Sequence, residues 1–166
     1  MMQRDSNVGA HIVRPQENSR LKETPMKKIL FVCTGNTCRS PMAAVLLNKI
    51  IKEKGVDAFA FSAGLAVSTG EPASKNAVTA ALELGGELSN HRASFLTQKM
   101  LEESDDVFVM SLSHKSAIER DFPQFLGKIN LLGAGICDPY GGDIESYRKC
   151  RDEIEAAFEI IVEQLL

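Results

Sequence analysis

The stretch Ile29-Leu30-Phe31-Val32-Cys33-Thr34-Gly35-Asn36-Thr37-Cys38-Arg39-Ser40-Pro41 decides how the rest of the chain reads. Ile29 to Val32 is a short unbroken apolar run, the pattern of a strand buried on both faces. The next residues are small, polar and loop-forming, and Ser40-Pro41 reads as the cap and first residue of a helix. Met42, Val45, Leu46, Lys49 and Ile50 continue at helical spacing, and Gly55 can end the helix. Strand, loop and helix make one βα unit.

The unit repeats downstream. Ala58–Ala63 reads as a second strand closed by Gly64, and Pro72 opens a helical stretch to Leu84. Thr97 can cap a short helix ending at Glu103. Val107–Met110 is a third strand, Ser113 caps a helix to about Arg120, and Ile129–Leu132 is a fourth strand. After a glycine-rich loop from Gly133 to Gly142, the apolar stripe from Ile144 to Leu165 predicts one long helix with a solvated, glutamate-rich face. Alternating strands and helices predict an α/β fold, an open four-stranded parallel sheet with helices on both faces. Sites in such sheets lie beyond the carboxyl ends of the strands, where both Cys33 and Asp138 fall. Residues Met1 to Pro25 are polar and lack periodicity, and read as a disordered leader to a domain spanning 26–166.

The 166 residues are 44% apolar and 25% charged, with a net charge of −3, and the pI is about 5.7. This acidic balance argues against a nucleic-acid partner. No run is long and apolar enough to span a bilayer, and the N-terminus lacks the apolar core of a signal peptide. A cytoplasmic monomer without a membrane partner is expected. The four cysteines, Cys33, Cys38, Cys137 and Cys150, lack zinc spacing, and no acidic and histidine cluster suggests a metal. No metal and no cofactor are expected. Cys137 and Cys150 read as packing residues, and His11 and His114 as surface residues.

The chemistry sits between Cys33 and Ser40. Amides of a tight loop running into a helix N-terminus bind an anion such as phosphate. Gly35 lets the backbone turn and approach closely, Asn36 tolerates left-handed dihedrals, and Arg39 offers a planar fork to two phosphate oxygens. The same field favours the thiolate form of a cysteine at the loop's start, and Ser40 can donate a hydrogen bond to that sulfur. Read alone, Cys33 fits a buried core thiol better than a nucleophile, and Asp138 a turn-former before Pro139 better than an acid. The nine-residue string argues against the first reading.

Cys33 to Pro41 resembles the signature of the low-molecular-weight protein tyrosine phosphatase family, and Asp138-Pro139-Tyr140 resembles its general-acid loop. Ser62-Ala63-Gly64 and His91 fall where the family places a supporting serine and histidine. The resemblance covers Met26 to Leu166 and implies flavodoxin-like strand order. It implies Cys33 as nucleophile through phosphocysteine, and Arg39 with the backbone of Thr34, Gly35, Asn36, Thr37, Cys38 and Ser40 as the phosphate site. It further implies Asp138 as acid and then base, Tyr140 beside the substrate, Ser62 and His91 supporting Asn36, and a phosphorylated protein as partner.

Thr37 bears on the substrate. Tyrosine phosphatases of this family usually carry an apolar β-branched residue there, and a bacterial branch that this chain resembles more closely carries threonine and acts on phosphoarginine. A hydroxyl suits a polar guanidinium better than a phenyl ring. Leu65-Ala66-Val67-Ser68-Thr69 offers no aromatic to sandwich a phenol. Protein-arginine phosphatase is therefore the favoured expectation, with protein-tyrosine phosphatase and a non-catalytic phosphoresidue-binding adaptor as alternatives. Cys38 reads either as partner to Cys33 in a reversible disulfide or as a small filler under the loop. The stretch Ser62 to Ile136 holds no cysteine, which argues against the relay of the sister arsenate reductases.

Overall fold

A computed structural model describes residues 25–166. The expected leader therefore lies, but for Pro25, outside the described residues, as does His11. Four strands, β1 (Lys27–Cys33), β2 (Ala58–Gly64), β3 (Asp106–Val109) and β4 (Ile129–Leu131), form one sheet. Its order is β2-β1-β3-β4 and every pairing is parallel, as the alternation of elements predicts.

β1 is buried on both faces, and its side chains divide by strand periodicity. Ile29, Phe31 and Cys33 join one apolar cluster, while Leu30 and Val32 join the other. Helices α1 (Arg39–Lys54), α2 (Lys75–Glu83), α5 (Ile144–Ala156) and α6 (Phe158–Leu165) cover the first face. There Phe31 meets Phe108 and Phe158 with ring centroids 5.8 and 6.0 Å apart. α3 (Gln98–Glu103), α4 (Leu112–Asp121) and a 3₁₀ turn (Pro123–Lys128) cover the second. Glu83 of α2 takes Arg148 and Arg151 of α5, each at 2.6 Å, which holds its carboxyl down at about 2. Arg151 also donates to the Ala80 carbonyl, so the two helices are tied by charge and by backbone.

Several boundaries differ from the sequence expectation. α1 starts at Arg39 with Cys38 at the cap position, so Ser40 is not the cap and Pro41 is the third helical residue. The Ser40 hydroxyl is committed elsewhere, as described below. α2 starts at Lys75 rather than Pro72, because Ser74 accepts the Ala77 amide. α4 is capped by Ser111 through His114 N, not by Ser113. The expected single C-terminal helix has a tight turn at Ala157, where the Ala157 amide is shared between Glu153 and Ile154 carbonyls. Gly133 presses on that turn, since a Cβ there would lie 3.1 Å from the Ala157 side chain.

Candidate active site

The loop between β1 and α1 sits where the strand order reverses, since β1 neighbours β2 on one side and β3 on the other. Among the described residues, all but one of the carbonyls from Cys33 to Cys38 accept a hydrogen bond. Leu65 N donates to Cys33 O at 3.0 Å, Ala66 N to Thr34 O at 2.9 Å, Ser74 N to Thr37 O at 2.9 Å, and Met42 N to Cys38 O at 3.2 Å. The backbone N–H groups of residues 34 to 38 have no acceptor among the described residues. Carbonyls already bonded and amides left without acceptors are what an anion cradle requires.

Asn36 holds this shape. It is the only non-glycine residue with a left-handed backbone among the described residues, at φ 55°, and it is fully buried. Its Nδ2 donates to Ser40 Oγ at 2.8 Å and Ser62 Oγ at 2.9 Å, and its Oδ1 accepts from Ser94 N at 2.9 Å. His91 Nε2 reaches the Asn36 carbonyl at 2.7 Å, which fixes that nitrogen as the donor. Burial moves His91 below its ordinary value, the Asn36 carbonyl opposing. Ser62 and His91 thus both hydrogen-bond to Asn36. The turn itself falls on Asn36 and not on Gly35, where a Cβ would meet only Thr37 Oγ1, at 3.7 Å. The glycine that close packing demands is Gly64, whose Cβ would lie 2.6 Å from Thr34 O and 3.0 Å from Asn36 Cβ.

Cys33 is a buried free thiol, with Sγ 2.9 Å from Ser40 Oγ. Ser40 Oγ also reaches Ala63 O at 3.2 Å, so one hydroxyl proton serves the sulfur or the carbonyl. The Ser40 and Asn36 side chains lie behind the loop rather than in the cavity. Arg39 is buried; its Nη1 donates to Ile136 O at 3.2 Å, and its Nη2 lies 3.4 Å from Asp138 Oδ2. Asp138 accepts Tyr140 N at 3.1 Å in a short turn. A cavity of about 290 Å³ opens above the loop. Cys33, Thr34, Gly35, Thr37, Cys38 and Arg39 form its floor, and Asp138, Tyr140, Ala66, Ser68 and Glu71 its walls. An oxyanion on the floor would face a thiol, a guanidinium and unpaired amides, with a carboxylate at the rim for proton transfer.

Ala66, Ser68 and Glu71 were not among the expected site residues, and neither were the groups beneath the loop. Cys38 Sγ lies 3.3 Å from Tyr147 OH and 3.5 Å from Ser74 Oγ. Burial and Cys38 push the Tyr147 phenol up to about 12. Two expectations are overturned. Cys137 is exposed, whereas Cys150 is buried and its thiol pushed up to about 12 by that burial. His114 is not a surface residue: it is 6% exposed, and its Nε2 lies 2.8 Å from Thr34 Oγ1. Its position one turn past the end of β3, next to β1 in the sheet, was the available signal.

Burial, then the positive charge of Arg39, hold the His114 ring down to about 4, with Asp138 opposing. An unfolded histidine titrates near 6.5, so the unfolded chain binds the extra proton first as pH falls. This residue therefore costs no stability above about pH 6.5 and an increasing amount between 6.5 and 4. His114→Gln should gain thermal stability relative to wild type as pH is lowered through that window. A difference in Tm that stays flat from pH 7 to 4 would contradict a buried neutral ring.

A parallel α/β sheet carrying a cysteine and an arginine in such a loop is the framework of a phosphatase. The model of the low molecular weight phosphotyrosine protein phosphatase family matches residues 28–166, and the chain belongs to that family. It is 41% identical to a protein-arginine-phosphatase of Geobacillus stearothermophilus and 38% identical to one of Bacillus subtilis. These alignments cover 83% and 82% of this chain and 95% of each relative. A solved low molecular weight protein tyrosine phosphatase from T. tengcongensis superposes with a TM-score of 0.80 at 38% identity, covering 84% of this chain and 99% of that one. Among the described residues no helix is long and apolar enough to cross a membrane, and no group of three metal-ligating side chains occurs.

Proposed function

We propose that residues 26–166 form a protein phosphatase domain that works through phosphocysteine at Cys33 and acts on phosphoarginine in proteins. The observation that carries the chemistry is the floor of the cavity, where Cys33 Sγ meets Ser40 Oγ at 2.9 Å beneath amides that have no other acceptor. The phosphoryl oxygens take those amides and the Arg39 fork, and Arg39 releases Asp138 to do so. The thiolate attacks phosphorus in line and the P–N bond breaks. Asp138 gives its proton to the departing guanidine nitrogen. A water then attacks the phosphocysteine with Asp138 as base, and inorganic phosphate leaves as the sulfur departs, assisted by the Ser40 hydroxyl.

The choice of phosphoarginine rests on the walls. Thr37, which carries a hydroxyl, and Glu71, which carries a carboxylate, line the same cavity. A guanidinium is cationic, planar and rich in donors, so it gains from both; a phenol ring gains from neither. Tyr140, 81% exposed at the rim, can stack on a guanidinium or a phenol and does not discriminate. The two relatives named protein-arginine-phosphatase support this choice. The tyrosine reading is kept by the T. tengcongensis relative, named a tyrosine phosphatase.

Parallel kinetics on phosphoarginine- and phosphotyrosine-bearing peptides, without added metal, test the assignment. Wild type should favour phosphoarginine. Thr37→Ile should lower kcat/KM on phosphoarginine by about 10-fold and raise it on phosphotyrosine, the scale of one lost polar contact to a charged group. Equal changes on both substrates would remove Thr37 as the selector.

A further inference from the structure

His114 has no part in the chemical scheme above, yet among the described residues it is one of six buried polar or charged ones. Residues 33 to 37 are tied on one side by groups from positions 62 to 94: Leu65, Ala66, Ser74, His91, Ser94 and Ser62. Among the described residues, the one hydrogen bond to residues 34–37 from beyond position 94 is that of His114 to Thr34. Thr34 is therefore held at two points. Ala66 N fixes its carbonyl from the β2 side, and His114 fixes its hydroxyl from the β3 side.

We propose that His114 is a positioning residue for the phosphate loop, acting through the Thr34 hydroxyl to fix the first peptide after Cys33. Thr34 is exposed and lines the cavity floor, so without a second tether its side chain is free to rotate and the adjoining amide to drift. The tether is firm at its other end. His114 and Ile118 lie one turn apart on the buried face of α4, and Ser111 Oγ accepts the His114 amide at 3.3 Å. His114 Nδ1 is buried without a partner. The ring's one side-chain hydrogen bond is thus the bond to Thr34, and the cost of the bare nitrogen is borne where that bond is made. A neutral imidazole suits this place, because a second cation beside Arg39 would compete for the same oxyanion. The groups that face the ring electrostatically are Arg39 and Asp138.

The inference rests on the reading of Cys33 to Ser40 as the phosphate site, and the test separates the two. Wild type, His114→Ala, His114→Gln, Thr34→Val and the Ala/Val double variant are compared. The readouts are para-nitrophenyl phosphate turnover, inhibition by inorganic phosphate, and thermal unfolding. His114→Ala should raise both KM and the phosphate inhibition constant by about 5- to 10-fold, the effect of one lost hydrogen bond, with kcat changed less than about twofold. Thr34→Val should do the same, and the double variant should be no worse than either single. Gln, which can still reach the hydroxyl, should restore most of the loss. Unchanged phosphate inhibition in folded His114→Ala, additive losses, or no rescue by Gln alongside equal drops in Tm would overturn the role. Wild type that neither binds phosphate nor turns over the ester would overturn the site itself, and this role with it.

Discussion

Cys33→Ser should abolish turnover, by about 10⁴-fold or more, while leaving the fold and phosphate binding intact. That is the scale on which loss of a nucleophile acts when the rest of a site survives. A serine hydroxyl is close to isosteric and keeps the contact to Ser40, so the loop need not move. An alcohol is far harder to ionise than a thiol, and neither histidine near the loop stands ready to take its proton. His91 is committed to the Asn36 carbonyl and His114 to Thr34. From any phosphoserine that formed, the serine alkoxide would also be a much poorer leaving group than the cysteine thiolate is from phosphocysteine. Turnover of para-nitrophenyl phosphate, with thermal unfolding and phosphate binding as controls, checks this. Turnover within tenfold of wild type would exclude the thiol as nucleophile. A folded Cys33→Ser protein that still binds phosphate also sets the non-catalytic adaptor aside, provided the wild type turns over.

Asp138→Asn should have the second largest effect, with a size that depends on the leaving group. General acids contribute roughly 10²- to 10⁴-fold. A guanidine cannot depart from phosphorus without a proton, so the loss on phosphoarginine should be about 10³-fold in kcat. Para-nitrophenolate leaves unaided, so the loss on its phosphate ester should be about tenfold. Asparagine can still accept Tyr140 N, so the turn over Asp138-Pro139-Tyr140 should persist. Removing the carboxylate frees Arg39 from a partner at 3.4 Å. That partner is half-exposed, and such pairs are weak, so phosphate should bind as well as before or slightly tighter. Equal loss on both leaving groups, or weakened phosphate binding, would mean that Asp138 acts through Arg39 rather than on the substrate.

Much of this was legible because local and global signals agree. Ile29 to Val32 had to be a two-faced strand, and its residues do part alternately into the two clusters. Asn36 was readable as the left-handed residue because few other side chains tolerate that backbone. Hydroxyls were harder to place. Ser40 reads as a helix cap until the thiol of Cys33 and the amide of Asn36 claim its oxygen. Ser111 and Ser113 are equally good caps on paper, and the choice between them decides which way His114 faces. Contacts set by the approach of distant elements were not legible. Tyr147 under Cys38, the Ile136 carbonyl beside Arg39, Glu71 on the wall and His114 behind Thr34 come from helices and loops far along the chain. No periodicity carries that information.

Every role assigned to the site depends on a covalent bond between phosphorus and the sulfur of residue 33. Acid quench of the enzyme within its first turnover of a phosphorylated peptide, followed by peptide mass spectrometry, tests it directly. Phosphate should be found on the Cys33 peptide, accumulating further in Asp138→Asn with para-nitrophenyl phosphate and absent when Cys33 is alkylated beforehand. Undiminished turnover with phosphate on no residue, or on a residue other than Cys33, would contradict it.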